Sequence, residues 1–191
     1  DLSLSRVNDA QASLEQARLL ASKYDLPAHL FKATHNLGCA AYVAGNLPEA
    51  LRLMTLADSM PVDVARERAK IDLGAVLLEA GLVDQAREAL SAALDSARES
   101  GQRLDEGEIL HDLARCALLD DLPDLARDLA GQARVVCESL GADARSAAVE
   151  LLIARLDVRE GSNLDHALEI GRKWSHEVET SVDVIDAVLL R

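Results

Sequence analysis

The chain has 191 residues, with 33 acidic against 20 basic side chains, a formal charge of −13 and a pI near 4.7. That balance excludes a phosphate-reading surface and disfavours an anionic membrane, because both demand a basic footprint, and no stretch approaches the roughly 18 uninterrupted apolar residues of a membrane span. Hydrophobic residues make up 49% of the chain but aromatics only 2%, a composition suited to helices packed through Ala and Leu rather than to strands.

Helical periodicity begins at the N-terminus. A first helix is predicted over 3–24, with Leu14, Ala17 and Ala21 on one stripe and Ala10 forty residues before Ala50. It reads as the second helix of a unit whose first helix is absent. A pair follows over 28–44 and 48–60, joined by Gly45-Asn46-Leu47, with Pro48 pre-setting a first turn and Glu49 at the positive helix end. The next pair is predicted over 64–80 and 84–99. Gly81 can take the left-handed conformation that closes a helix, and Gly101 ends the pair in the same way. A third pair, 104–120 and 123–139, carries Asp120-Asp121 where its siblings have Gly, so a strained or different turn is expected there. A fourth, 143–160 and 164–177, keeps Gly161 and places Gly171 and Trp174 in its second helix, with the indole expected to fill the space Gly171 vacates. Residues 180–191 read as the start of a further helix.

The segments share one internal repeat. Gly38, Gly74, Ala114 and Ala154 follow at intervals of 36, 40 and 40 residues, and Ala50, Ala86, Ala126 and Ala167 at 36, 40 and 41. Two antiparallel helices approach closely only where side chains nearly vanish, so a small residue on each first helix is expected to meet Ala on each second helix. The predicted fold is all-α, a right-handed superhelix of stacked antiparallel helix pairs forming one array over 1–191: a half unit at 3–24, units at 28–60, 64–99, 104–139 and 143–177, then 180–191. The chain reads as a piece of a longer protein, with apolar end helices through which copies could self-associate.

Leu37-Gly38 and Leu73-Gly74 resemble the Leu-Gly pair of the tetratricopeptide repeat (TPR), and the later Ala positions fit its second helix. The aromatic positions of that pattern are filled by Ala41 and Leu77 in first helices, and by Met54 and Leu90 in second ones. The resemblance spans roughly 28–177, strong in the first two units and weak in the fourth. Units of about 40 residues, rich in Ala and Arg, are similar in style to arrays of high-GC bacteria that accompany caspase-like CHAT protease domains or sit in multidomain regulators. The resemblance implies a non-catalytic scaffold that binds a peptide or partner helix in a concave groove lined by first helices. The alternatives are a ligand- or peptide-sensing module of a signalling or transcriptional regulator, or the accessory region of a CHAT protease.

Projecting the repeat puts Lys32, His35, Asn36, Tyr42, Arg68, Asp72, Glu79, Glu108, His111, Asp112, Arg115, Arg155 and Arg159 on or near that groove. Family members that clamp a terminal carboxylate use Lys and Asn at set places. Only Asn36 matches, since Asp72 and Asp112 stand at the equivalent positions, so a chaperone clamp is not expected. Arg115 and Arg155, forty residues apart, could hold one carboxylate between them; the plainer expectation pairs them with Asp112, Asp157 and Glu150.

No H-E-x-x-H, G-x-x-x-x-G-K, G-x-G-x-x-G or nucleophile elbow occurs. The five histidines suggest no metal set, and neither catalysis nor a cofactor is expected. Cys39, Cys116 and Cys137 form no C-x-x-C and leave an odd thiol, which points to a reducing compartment and a cytoplasmic protein. Cys39 and Cys116 read as small buried hydrophobes. The expected partner is a protein or peptide, with no nucleic acid contacted directly and no membrane.

Overall fold

The computed structural model of the chain describes residues 2–175, the side chains at 2–6, 143, 171–172 and 174–175 excepted. Among these residues the chain forms helices and no strand: α1 (Leu2–Lys23), α2 (Pro27–Val43), α3 (Leu47–Asp58), α4 (Glu67–Glu79), α5 (Val83–Glu99), α6 (Arg103–Leu119), α7 (Pro123–Ser139), α8 (Asp143–Glu160) and α9 (Leu164–Ser175). The expectations for the Trp174 side chain and for 180–191 lie outside the described residues.

Local chemistry explains where these helices start and stop. Pro27, Pro48 and Pro123 occupy first turns, where a missing N–H costs nothing. Asn46 caps α3 by accepting a bond from the Glu49 N–H at 3.3 Å. One device closes most helices: a residue with positive φ, followed by an N–H that reaches five residues back. Leu82 N donates to Leu77 O at 2.9 Å behind Gly81 (φ +74°), and Leu122 N donates to Ala117 O at 2.9 Å behind Asp121 (φ +61°). The turn expected to differ at Asp120-Asp121 therefore has the same geometry as its siblings. Aspartate tolerates the left-handed region better than most side chains, and Asp25 does the same behind α1, with φ +52°.

Helix α4 departs from expectation at its start, beginning at Glu67 rather than near 64. Residues 59–66 instead form a connector held by Arg66. Its guanidinium donates to the carbonyls of Asp58 (2.6 Å), Met60 and Val62 (3.1 Å), and lies 5.2 Å from the centre of the Phe31 ring.

The chain divides into two compact units, Asp1–Ala93 and Leu94–Arg191, with the boundary inside α5. In the first unit α2 packs on α1, α3 and α4, and α3 packs on α4. In the second, α6 packs on α7 and α8, α7 on α8, and α8 on α9. First helices thus touch their second helices and a neighbouring first helix, the arrangement the repeat requires. The small residues sit at the contacts: Gly38, Gly74, Ala114 and Ala154 are buried, as are Ala50, Ala86, Ala126 and Ala167. Ala10 is exposed.

Candidate functional site

The groove candidates of the first unit separate into a paired set and an unpaired set. On α2, His35 and Cys39 are four residues apart and so share one helix face. Asp72 of α4 faces them. The Asp72 Oδ2 lies 3.1 Å from His35 Nε2 and 3.8 Å from Cys39 Sγ, and Cys39 Sγ lies 3.5 Å from the same Nε2. Arg68, one turn earlier on α4, holds the other oxygen of Asp72, with Nη2 at 2.7 Å and Nε at 2.9 Å. Burial alone would depress the imidazole, but the hydrogen bonds to Asp72 and Cys39 outweigh it and raise His35 to about 9. Burial likewise pushes the Asp72 carboxyl up, and the bonds from His35 and Arg68 bring it below the usual carboxylate range. Cys39 is thus a half-buried member of a polar cluster, not the buried hydrophobe expected from sequence. Cys116 is fully buried, as expected.

Lys32 and Asn36, two other α2 candidates, lie on a different surface. They rim an open groove of about 330 Å³ between α1 and α2, whose floor is Leu14, Ala17, Leu20, Ala21, Leu26 and Ala33. Leu20 is 53% and Leu26 43% exposed. Among the described residues the side chains of His29, Lys32 and Asn36 in this groove have no hydrogen-bond or ion-pair partner.

In the second unit the candidates are engaged internally. Asp112, 5% exposed, is bracketed by His111 Nδ1 at 3.3 Å and Arg115 Nη1 at 3.2 Å. Arg159 binds the Leu118 carbonyl at 3.1 Å and pairs with Asp121. Glu108 pairs with Arg145. Asp157, expected beside the Arg115 and Arg155 pair, instead takes Arg127 of α7 at 2.9 Å and His166 at 3.4 Å. Glu150 lies 3.5 Å from Lys173. Arg115 thus follows the plainer expectation of an internal pair. Arg155 is half-buried on α8.

A larger groove of about 700 Å³ runs along α7 and two residues of α6, and none of the sequence candidates lines it. Of its charged residues, Glu106, Arg127 and Asp128 are engaged by neighbours. Glu106 takes Arg98 at 3.0 Å and Arg103 at 2.5 Å, Arg127 takes Asp157 and Glu160, and Asp128 accepts from Gln132 at 2.8 Å. Sequence reasoning missed the roles of Cys39, Arg127 and Asp157. The signal for the first was present in the His35-to-Cys39 spacing and in Asp72 standing one repeat after Asn36.

These helix hairpins, closed by one recurrent turn and stacked through Gly and Ala, define a helical-repeat fold. In comparison with known proteins, the tetratricopeptide repeat model matches residues 66–139, from the N-cap of α4 to the end of α7. Solved structures share the fold. The nearly identical TPR-like repeats of a Podosopora anserina protein described as a putative kinesin light chain superpose with a TM-score of 0.68 at 18% identity, over 94% of this chain and 92% of that one. A second crystal structure of those repeats, from a singly substituted chain, gives 0.69 at 18%, over 90% and 86%. BtubC (BKLC) from P. vanneervenii gives 0.66 at 20%, over 100% and 82%. No curated protein matches the sequence. The chain thus has the fold of TPR-like arrays, with residues 66–139 matching the repeat model itself; TPR repeats generally serve as protein-interaction scaffolds.

Proposed function

We propose that this array is a non-catalytic recognition module that seats an amphipathic partner helix in the α1–α2 groove. The observation that supports this reading is the contrast between grooves. Leu20 and Leu26 leave an apolar floor open to solvent between α1 and α2, beneath a Lys32, His29 and Asn36 rim without internal partners. Its 330 Å³ is open rather than an enclosed ligand cavity, which suits a helix laid along a surface. The basic Lys32 selects an acidic residue flanking the partner's apolar stripe. The Ala- and Arg-rich style supports a place in a larger bacterial regulatory chain, and the three free thiols support a reducing, cytoplasmic setting.

Selection of displayed peptides on the immobilised chain tests the reading. The expected binders carry apolar residues at i, i+3, i+4 and i+7 with an acidic flank, and lose binding at least tenfold to Leu20→Glu. Binders indifferent to both Leu20→Glu and Lys32→Glu overturn the groove assignment. Self-association that disappears in Leu20→Glu would put a second copy there instead.

A further inference from the structure

We propose that His35, Cys39 and Asp72 form a binding site for a single divalent metal ion of the zinc class, with three protein ligands and one open position. Three donor types suited to zinc converge: an imidazole nitrogen, a thiol sulfur and a carboxylate oxygen. Their spacing decides the matter between two chemistries. A tetrahedral zinc ion, with bonds of about 2.0–2.1 Å to N and O and about 2.3 Å to S, requires edges of about 3.3 Å for N···O and about 3.6 Å for both N···S and S···O. The observed edges are 3.1, 3.5 and 3.8 Å. One ion above the plane of the three atoms can therefore reach all of them with little movement.

The competing chemistry is a Cys–His–Asp nucleophile relay, and the geometry opposes it. A relay places thiol and carboxylate on opposite ring nitrogens, so that the acid orients the base toward the nucleophile. Here both approach the same Nε2, which is how ligands crowd around a shared centre.

The surroundings favour a fixed site. The His35 ring stacks on Phe31, with centroids 6.3 Å apart and planes 9° from parallel, and Phe31 is itself buried. Arg68 holds the far oxygen of Asp72 and aims Oδ2 at the other two donors, the role that outer partners play around metal ligands. Binding displaces the thiol proton, and any proton on Nε2, to solvent. The thiolate and carboxylate then balance the two positive charges of the ion, and water or an incoming donor takes the fourth position.

Cobalt(II) titration of the reduced, chelator-treated full chain tests the site, because cobalt reports thiolate ligation and tetrahedral geometry in its absorption spectrum. The expected result is one cobalt per chain with a thiolate charge-transfer band, displaced by stoichiometric zinc. The band should vanish in Cys39→Ser, persist in the Cys116→Ser/Cys137→Ser double variant, and require about tenfold more metal in Arg68→Ala. A titration without a thiolate band, or a band that survives Cys39→Ser, overturns the proposal. Should Cys39→Ser lose its helical circular dichroism, alkylation of the unsubstituted chain decides: zinc that shields Cys39 from iodoacetamide in peptide mass mapping supports the site, and an unshielded Cys39 overturns it.

Discussion

Gly74 of α4 lies against Leu90 of α5 with no room for a methyl group: a Cβ built on Gly74 would stand 2.6 Å from Leu90 Cγ and 2.7 Å from its Cδ2. Leu90 is fully buried. The same relation recurs one repeat earlier, where a Cβ on Gly38 would meet Met54 Cγ at 2.6 Å and the Ala50 carbonyl at 3.3 Å. Gly74→Ala gains about 1 kcal/mol of helix propensity but overpacks this contact by about 1–3 kcal/mol. A net loss of stability is expected in urea unfolding. In the Leu90→Ala background, itself about 2–5 kcal/mol less stable, the same substitution should become neutral or stabilising, since the methyl then enters vacated space. Equal cost in both backgrounds would show that the helices are not held apart by this pair.

The recurrent turn gives a second outcome. Nothing lies within 4 Å of a Cβ placed on Gly81, so its φ of +74° alone resists substitution. Gly81→Ala should lower stability by about 1–2 kcal/mol. Gly81→Asp should cost less, because Asp121 already adopts φ +61° in the equivalent turn. Thermal unfolding that ranks aspartate below alanine would contradict this.

Asp112 supplies a pH dependence. Burial pushes its carboxyl up, but the hydrogen bond and charge of His111, with the charge of Arg115, outweigh that and hold it below the usual range. A carboxyl lowered by folding contributes stability that is present above its unfolded value, about 3.9, and lost as pH falls through the folded one. Asp112→Asn should therefore cost about 1–3 kcal/mol near neutral pH, a gap that narrows progressively below about pH 4. A gap that stays constant down to about pH 3 contradicts the assignment.

The Arg127 and Asp157 pair ties α7 to α8. Asp157 is 3% exposed, and removal of Arg127 leaves it, among the described residues, only His166 at 3.4 Å. Arg127→Ala should cost about 2–3 kcal/mol, less than a fully buried pair because the arginine is itself 38% exposed. Asp157→Asn added to it should recover part of that loss, since the unpaired charge is then gone. A double variant no better than the single one would show that the pair does not control this interface.

How much of this was legible in the residues follows from what each level of structure depends on. The helices and their small-residue contacts are set by spacing within one strip of chain, and Gly38, Gly74, Ala50 and Ala86 mark them at fixed intervals. The turn at Asp121 was misjudged because a side chain, not the backbone, differs from its siblings. The start of α4 was misplaced because Arg66 organises its connector through carbonyls that no sequence pattern names. Site residues were harder still. Register places the candidates on a shared surface, whereas the packing sends His35 toward Asp72 and sends Lys32 and Asn36 toward α1. Asp157 paired with Arg127 rather than with a neighbouring first-helix arginine because α7 packs beside α8. Such choices depend on which neighbour arrives, and periodicity does not encode them.

The recognition assignment is tested most directly by amide chemical-shift mapping of the isotopically labelled chain, titrated with an acidic amphipathic peptide taken from the display selection. The account predicts saturable shifts concentrated on Leu14–Ala21 of α1 and on His29–Asn36 of α2, and their disappearance in Leu20→Glu. Shifts confined to the α7 groove around Arg127, Gly131 and Val135, with the α1 and α2 amides unmoved, would contradict it.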